Sequence, residues 1–442
     1  MLKKRFHLSK FKTILLGYLF VILIGAFLLS LPISSASKTW TSFIDSIFTS
    51  TSAVCVTGLV VFDTATYWST FGQIIILLLI QIGGMGVITV AISFIMLSGK
   101  KIGLFSRDAL KESISAYNVG GIASLTKFIL KGILFFELLG AIAMMPFFCK
   151  EFGWNGVWMS FFHSISAFCN AGFDVMGKYS GEFSSLTIFS AMPAINIIVC
   201  LLIVIGGIGF IVWKDIYDYK LSFKKYRLQS KIVIIMSIIL IVLPGLYFFF
   251  FEFNELEIKE RILVSIFQAI TPRTAGFNTV SLKGISEVGL TVIIILMLIG
   301  GSPGSTAGGM KTSTVAVIFA SIISVFKNKE NAELFKKRIS DENVKNAFAI
   351  CFLYLFLFLF SGVIISKVEN ISILTCLFET ASAIGTVGLT LGITPTLGYI
   401  SKIILITLMF FGRLGGLTLI YATLGEGKQQ HYKYPVEKII VG

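Results

Sequence analysis

The sequence predicts an all-α integral membrane protein, with eight transmembrane helices and four re-entrant pore helices in a pseudo-fourfold single-chain pore. Three observations predict it. The 442 residues are 55% hydrophobic and only 14% charged, which is not a soluble composition. Five segments (1–12, 99–131, 213–231, 327–345 and 424–442) hold 26 of the 37 Lys and Arg residues and alternate with segments poor in them. A unit of helix, short half-helix, glycine turn and helix is written four times.

A bilayer crossing needs about 20 apolar residues. Charge-free runs of that length occur at 13–33, 71–97, 186–213, 232–251 and 346–366. The run 128–149 is interrupted by Lys131 and Glu137, and the run 403–424 by Arg413. The first apolar run is longer than the core of a signal peptide, about 7 to 15 residues, and reads as a spanning helix. Positive-inside bias puts the five basic segments and both termini in the cytoplasm. The net charge of +14 is spread among those segments, which argues against one contiguous nucleic-acid surface. Six cysteines without paired spacing give neither a disulfide framework nor a metal site. His7, His163 and His431 are far apart, and no nucleophile has an evident base, so an enzyme is not expected.

Between the long runs lie half-apolar segments: "TWTSFIDSIFTSTSAV", "WNGVWMSFFHSISAFC", "EIKERILVSIFQAITP" and "NISILTCLFETASAI". Their length fits re-entrant segments. Each holds a phenylalanine followed four residues later by a hydroxyl residue: Phe48 and Ser52, Phe162 and Ser166, Phe267 and Thr271, Phe378 and Ser382. Each then reaches a glycine before a large apolar residue, in "VTGL", "NAGF", "TAGF" and "TVGL". Gly58, Gly172, Gly276 and Gly388 are spaced 114, 104 and 112 residues apart. The third copy is one residue shorter and carries Pro272 and Arg273. Further on come the pairs Gly83–Gly84, Gly206–Gly207, Gly300–Gly301 and Gly415–Gly416. Repeat boundaries are expected at 1–115, 116–228, 229–341 and 342–442.

Non-helical backbone at membrane depth is tolerated where it is buried in protein or lines a wet cavity. Four such turns around one axis make a ring of carbonyls, the construction of a potassium filter. The expected filter comprises Cys55, Val56, Thr57 and Gly58; Cys169, Asn170, Ala171 and Gly172; Arg273, Thr274, Ala275 and Gly276; and Gly385, Thr386, Val387 and Gly388. Half-helices would aim their partly negative C-terminal ends towards the axis, which favours a cation. Only one glycine is shared among the loops, so looser selectivity is expected than in a filter of four "TVGYG" loops.

The stretch "GGSPGSTAGGMKTST" interrupts the second helix of the third unit. Gly304 to Thr312 nearly spells a phosphate-binding loop, but Met310 stands between Gly309 and Lys311 and no nucleotide domain surrounds it. An ordinary extramembrane connection would leave only about 14 residues to cross the membrane, short of a span. The remaining reading is a broken helix whose loop, 300–312, lies under the filter. Its residues are Gly300, Gly301, Ser302, Pro303, Gly304, Ser305, Thr306, Ala307, Gly308, Gly309 and Lys311, with Ser302, Ser305 and Thr306 suited to a wet site. An intramembrane charge such as Arg413 faces the bundle interior by default; snorkelling to the interface is its structural alternative. For Lys311, gating and a plain salt bridge weigh equally. His163 and Glu379, each nine residues before its glycine, read as packing or hydrogen-bonding groups behind the filter. Asp63, Asp174 and Glu182 follow the turns, either to concentrate cations or as solvated loop charges.

The four half-helix and glycine units, the "GGSPGSTAGGMKT" interruption and "FFGRLGGLT" resemble the Ktr/Trk potassium-uptake superfamily over essentially the whole chain. The resemblance is to the Ktr-type membrane subunit in particular, since the first repeat begins near residue 11 without the additional helix pair of the Trk branch. It implies potassium uptake across the plasma membrane, loop 300–312 as an intramembrane gate, and Arg413 as a pore-facing arginine against that loop. It also implies a homodimer on a cytosolic ring of nucleotide-binding regulatory subunits, with potassium as substrate and no cofactor in this chain. The alternative functions are a less selective sodium/potassium transporter and an ion-coupled symporter.

Overall fold

Each repeat opens on a helix whose length follows from its long, predominantly apolar run. The computed structural model describes residues 9–98, 103–115, 120–416 and the single positions 418, 435, 437, 439 and 440; the termini, with His7 and His431, lie outside the described residues. The first repeat runs α1 (Lys10–Ser30), α2 (Phe43–Val54), α3 (Thr70–Met85), α4 (Val87–Leu97) and α5 (Leu104–Ser113). The second has α6 (Ile122–Phe152), α7 (Asn155–Phe168), a single turn α8 (Gly177–Ser180), α9 (Pro193–Gly207) and α10 (Phe210–Tyr219). In the third, α11 (Leu228–Tyr247) continues as a π turn (Phe248–Glu252), followed by α12 (Ile258–Ile270), α13 (Glu287–Leu298) and α14 (Thr312–Phe326). A two-residue antiparallel pair, β1 (Glu333–Leu334) and β2 (Lys337–Arg338), leads to α15 (Asp341–Glu369), α16 (Ile373–Gly385) and α17 (Tyr399–Leu414).

Serine caps set several starts: the side chains of Ser9, Ser69, Ser286 and Ser340 accept the amides of Lys12, Gly72, Gly289 and Asn343. Such a cap is worth about 1 kcal/mol. Of the described helices, α1, α6, α11 with its π turn, and α15 are long and apolar enough to cross a membrane singly. The helices expected as pore helices, α2, α7, α12 and α16, have 12 to 14 residues, about 20 Å, too short to cross a bilayer singly.

Four further continuous spans were expected, with only the third interrupted, and here the structure differs. Helices α3 and α4 meet at 91° and α9 and α10 at 96°, so the described part of the fold has up to six spans if each bent pair counts as one. The bends sit at Gly86 (φ +84°) and Gly209 (φ +99°), and α17 ends at the matching Gly415 (φ +81°). Three residues earlier stand Gly83, Gly206 and Gly412. An added Cβ on any of them would overlap the carbonyl oxygen of Val54, Phe168 or Ile384, at the end of a pore helix. The operative pattern is thus G-x-x-G, and Gly412, rather than the expected Gly415–Gly416 pair, matches Gly83 and Gly206. The first glycine permits close packing under a pore helix and the second turns the chain away.

The repeats close on one another. The second helix of each packs on the pore helix of the next: α3 on α7, α9 on α12, α13 on α16, and α17 back on α2. The last contact carries an ion pair, Lys402 Nζ to Asp45 Oδ1 at 2.8 Å, whose side chains are 11% and 13% exposed. Asp45→Ala is expected to cost roughly 2 kcal/mol, between the values for exposed and buried pairs. The melting midpoint of the detergent-solubilised protein reads it, and the double variant with Lys402→Ala should lose less than the sum of the singles. An unshifted midpoint for Asp45→Ala would refute this role.

Candidate functional site

The four turns after the pore helices form one closed ring. Gly58, Gly172, Gly276 and Gly388 have φ of +90°, +69°, +82° and +92°. A Cβ added to each would lie 2.6 Å or less from a carbonyl oxygen of the next turn, in the order Ala171, Ala275, Val387 and Thr57. Side chains are sterically excluded there, and the residue before each glycine presents its carbonyl to a neighbouring repeat. All sixteen turn residues are buried.

A second left-handed position, with no shared signal in the sequence, stands two residues before each glycine: Val56 (φ +57°), Asn170 (+59°), Thr274 (+74°) and Thr386 (+51°). Of the three residue types at these four positions only asparagine favours that region, so the regularity is invisible without coordinates. Asn170 and Thr274 also link turns two and three, with the amide 3.1 Å from the hydroxyl.

The recurring hydroxyl residues hold these turns. The carbonyls of Ser52, Ser166 and Ser382 accept the amides of Thr57, Ala171 and Val387 at 2.7–2.8 Å, five residues on. In the third repeat Thr271 accepts Ala275 only four residues on, at 2.9 Å, so the missing residue is absorbed by a tighter turn. The side chains divide into two pairs. Ser52 and Ser382 accept the amides of Gly58 and Gly388 at 3.0 Å, whereas Ser166 and Thr271 donate to the carbonyls of Phe173 and Phe277 at 2.7 Å.

Arg273 contributes backbone to turn three while its side chain runs behind it, Nη2 donating to Ser237 Oγ at 3.2 Å. His163 and Glu379 also lie behind their turns, fully buried. Asp63 is buried rather than solvated: its carboxylate accepts Ala65 and Thr66 of its own loop and the Phe183 amide of the next repeat. Asp174 accepts the Met176 amide, and Glu182 accepts the Thr66 hydroxyl.

The interrupting loop is held by all three other repeats. Ser302 and Thr306 amides donate to Gly207 and Gly206 carbonyls at 3.0 and 3.3 Å, and Gly309 donates to Gly412 at 3.1 Å. In return the Phe210 amide, at the start of α10, donates to Gly304 at 2.7 Å. Arg413 donates to the carbonyls of Thr306, Gly83 and Gly84, which joins the loop to the first repeat. Lys311 donates to the loop's own Ala307 and Gly308 carbonyls, at 2.8 and 3.3 Å, rather than to a carboxylate among the described residues. One side of the loop meets the fourth turn, Gly308 against Thr386 and Gly309 against Gly385. The other lines a cavity of about 280 Å³ with Tyr18, Glu112, Lys311 and Arg413. Of the three hydroxyls expected to be wet, only Ser305 lines this cavity; Ser302 and Thr306 are fully buried and bonded to protein.

The model of one family, described as TrkH, cation transport protein, matches residues 9–432. The chain belongs to this family of cation transporters. It is 39% identical to the potassium/sodium uptake protein NtpJ of Enterococcus hirae, over 100% of this chain and 99% of that protein. To the Ktr system potassium uptake protein B of Bacillus subtilis it is 36% identical, over 97% and 95%. The fold is shared with the crystal structure of the potassium transporter TrkH from Vibrio parahaemolyticus, at a TM-score of 0.74 and 19% identity, over 95% of this chain and 86% of that one. As a TrkH-family member the chain is a multi-pass membrane transporter and not an enzyme, and its Ktr-type resemblance holds from end to end.

Proposed function

We propose that this protein carries potassium into the cell across the cytoplasmic membrane, through the ring of turns, with the loop 300–312 as its gate. The closed ring carries the reading: four left-handed glycines, each abutting a carbonyl of the next repeat, make a passage walled by backbone oxygens, which replace the hydration shell of a cation. The printed names of the relatives, potassium or potassium/sodium uptake proteins, support the substrate. Beneath the ring the loop is pinned in place, and the guanidinium of Arg413 beside it opposes a cation while it stays there. Release requires the Phe210–Gly304 bond and its neighbours to part, so a movement of α10 would move the loop.

The four repeats, 1–115, 116–228, 229–341 and 342–442, are each one quarter of the pore in this reading, with both termini cytoplasmic. The chain works as a homodimer on a cytosolic ring of regulatory subunits, which bind the nucleotide; this part of the reading rests on the Ktr-type resemblance, two relatives being Ktr-system potassium uptake proteins. A second reading, a less selective potassium/sodium transporter, is favoured by the single glycine shared among the turns and by the name of the Enterococcus hirae relative.

Rubidium-tracer uptake into proteoliposomes of the purified protein tests both. Competition by potassium well below the sodium concentration needed supports the first reading, and equal competition supports the second. Uptake indifferent to both ions in folded protein would sink the pore. Charge movement in fixed ratio to a second ion would make it a symporter.

A further inference from the structure

Directly after the shared phenylalanine of each pore helix stand Thr49, His163, Gln268 and Glu379. All four are buried. The same geometry recurs at two of them: His163 Nε2 is 3.5 Å from the Val175 amide, and Glu379 Oε1 is 3.3 Å from the Leu391 amide. Both amides lie twelve residues on, three past the ring glycine. His163 is fixed at its other nitrogen, 2.7 Å from the Met159 carbonyl, and stacks on Phe148. Glu379 does more. Its carboxyl also accepts the hydroxyls of Thr390 and Thr394, Thr390 in turn accepts the Gly392 amide at 2.9 Å, and Thr394 is 3.1 Å from Thr390. The Thr49 hydroxyl and the Gln268 amide have no hydrogen-bond partner among the described residues.

We infer that Glu379 is a positioning residue for ion selection: through Thr390, Leu391 and Thr394 it holds the segment leaving the fourth turn, and with it Val387 and Gly388 of the ring. The inference rests on the carbonyl-ring reading of the function. The ring has four nominally equal sectors but unequal braces, with the carboxyl of the fourth gathering three donors onto one side chain. Hydrogen bonds to such a group are among the stronger ones in proteins, and the segment they hold begins at Thr390, two residues beyond the glycine that abuts Thr57 and Gly58 of the first repeat. A slack fourth sector would let the ring collapse onto a smaller ion, so its loss should admit sodium without closing the pore.

The test measures potassium and sodium competition against rubidium uptake, in proteoliposomes of the full chain, for wild type, Glu379→Ala, Glu379→Gln and Gly388→Ser. Glu379→Ala should lower the potassium-over-sodium preference about tenfold, the equivalent of one such bond, while rubidium uptake per folded protein persists. Glu379→Gln retains one acceptor oxygen and should fall between alanine and wild type. If Glu379→Ala does not fold, Thr394→Val removes one of the same bonds from the far side and should shift the preference in the same direction. A purely structural role would reduce the folded fraction and leave the preference of that fraction at the wild-type value, which overturns the inference. Gly388→Ser separates the two levels. If it alters preference while the Glu379 and Thr394 variants do not, the brace fails and the ring stands. If none of them alters it, the ring reading itself has failed, and the inference with it.

Discussion

Gly58→Ser is expected to remove most of the preference for potassium over sodium while leaving a folded transporter. Two costs meet at this position. The backbone has φ of +90°, where a residue with a side chain is strained by about 1–3 kcal/mol. The new Cβ would also overlap the Ala171 carbonyl oxygen, so either Gly58 or turn two must move. Strain alone would lower stability, whereas displacement of a ring carbonyl changes the distances at which a dehydrated ion is held, and those distances distinguish two ions of different size. The expected loss of preference is at least tenfold, equivalent to about 1.4 kcal/mol. Gly181→Ser is the control: φ there is +98° and no atom lies within 4 Å of an added Cβ. It carries the strain without the displacement. Preference should stay at wild type in Gly181→Ser and fall in Gly58→Ser; equal preference in the two folded variants would show that the ring does not select.

What was legible in the sequence was what a residue type enforces by itself. A glycine is needed where φ is positive and a neighbouring backbone arrives, so Gly58, Gly172, Gly276 and Gly388 could be found by spacing alone. The hydroxyl four residues after the phenylalanine recurred because each turn needs a short polar group at that place, although the sequence did not say whether it donates or accepts. The breaks in α3–α4 and α9–α10 were missed because adjacent glycines, Gly83–Gly84 and Gly206–Gly207, draw the eye, while the geometry uses Gly83 with Gly86 and Gly206 with Gly209. The left-handed Val56, Thr274 and Thr386 were beyond reach for a different reason. Their conformation is imposed by the turn around them, against the preference of β-branched residues, and such imposed strain leaves no mark on composition. Of the three hydroxyls expected to be wet, Ser302 instead pairs with the Thr312 hydroxyl of its own repeat and Thr306 donates to the Phe168 carbonyl of the second, contacts no local pattern announces.

Removing the guanidinium at Arg413 should raise potassium flux through the protein in the absence of any regulatory subunit, by roughly 10- to 100-fold. The side chain joins three carbonyls, of Thr306 in the loop and of Gly83 and Gly84 at the end of α3, and each bond from a charged donor contributes about 1.5–3 kcal/mol. Even one such bond biasing the loop towards its seated position would shift the open fraction tenfold or more. Arg413→Ala also removes a positive charge from the cavity, so the rise in flux alone does not separate loop release from a lowered electrostatic barrier. Deletion within residues 304–309 does. That variant keeps Arg413 but shortens the segment that reaches Gly206, Gly412 and α10, and it should raise flux as well. Loop release predicts that the two changes together exceed either one by little, because a loop already unseated has no further contact to lose. A barrier made by charge predicts that Arg413→Ala multiplies the flux of the deletion variant by its full factor. Tracer uptake by the four proteins, normalised to folded protein, reads this directly, and flux unchanged by the deletion would leave the loop as packing and not as a gate.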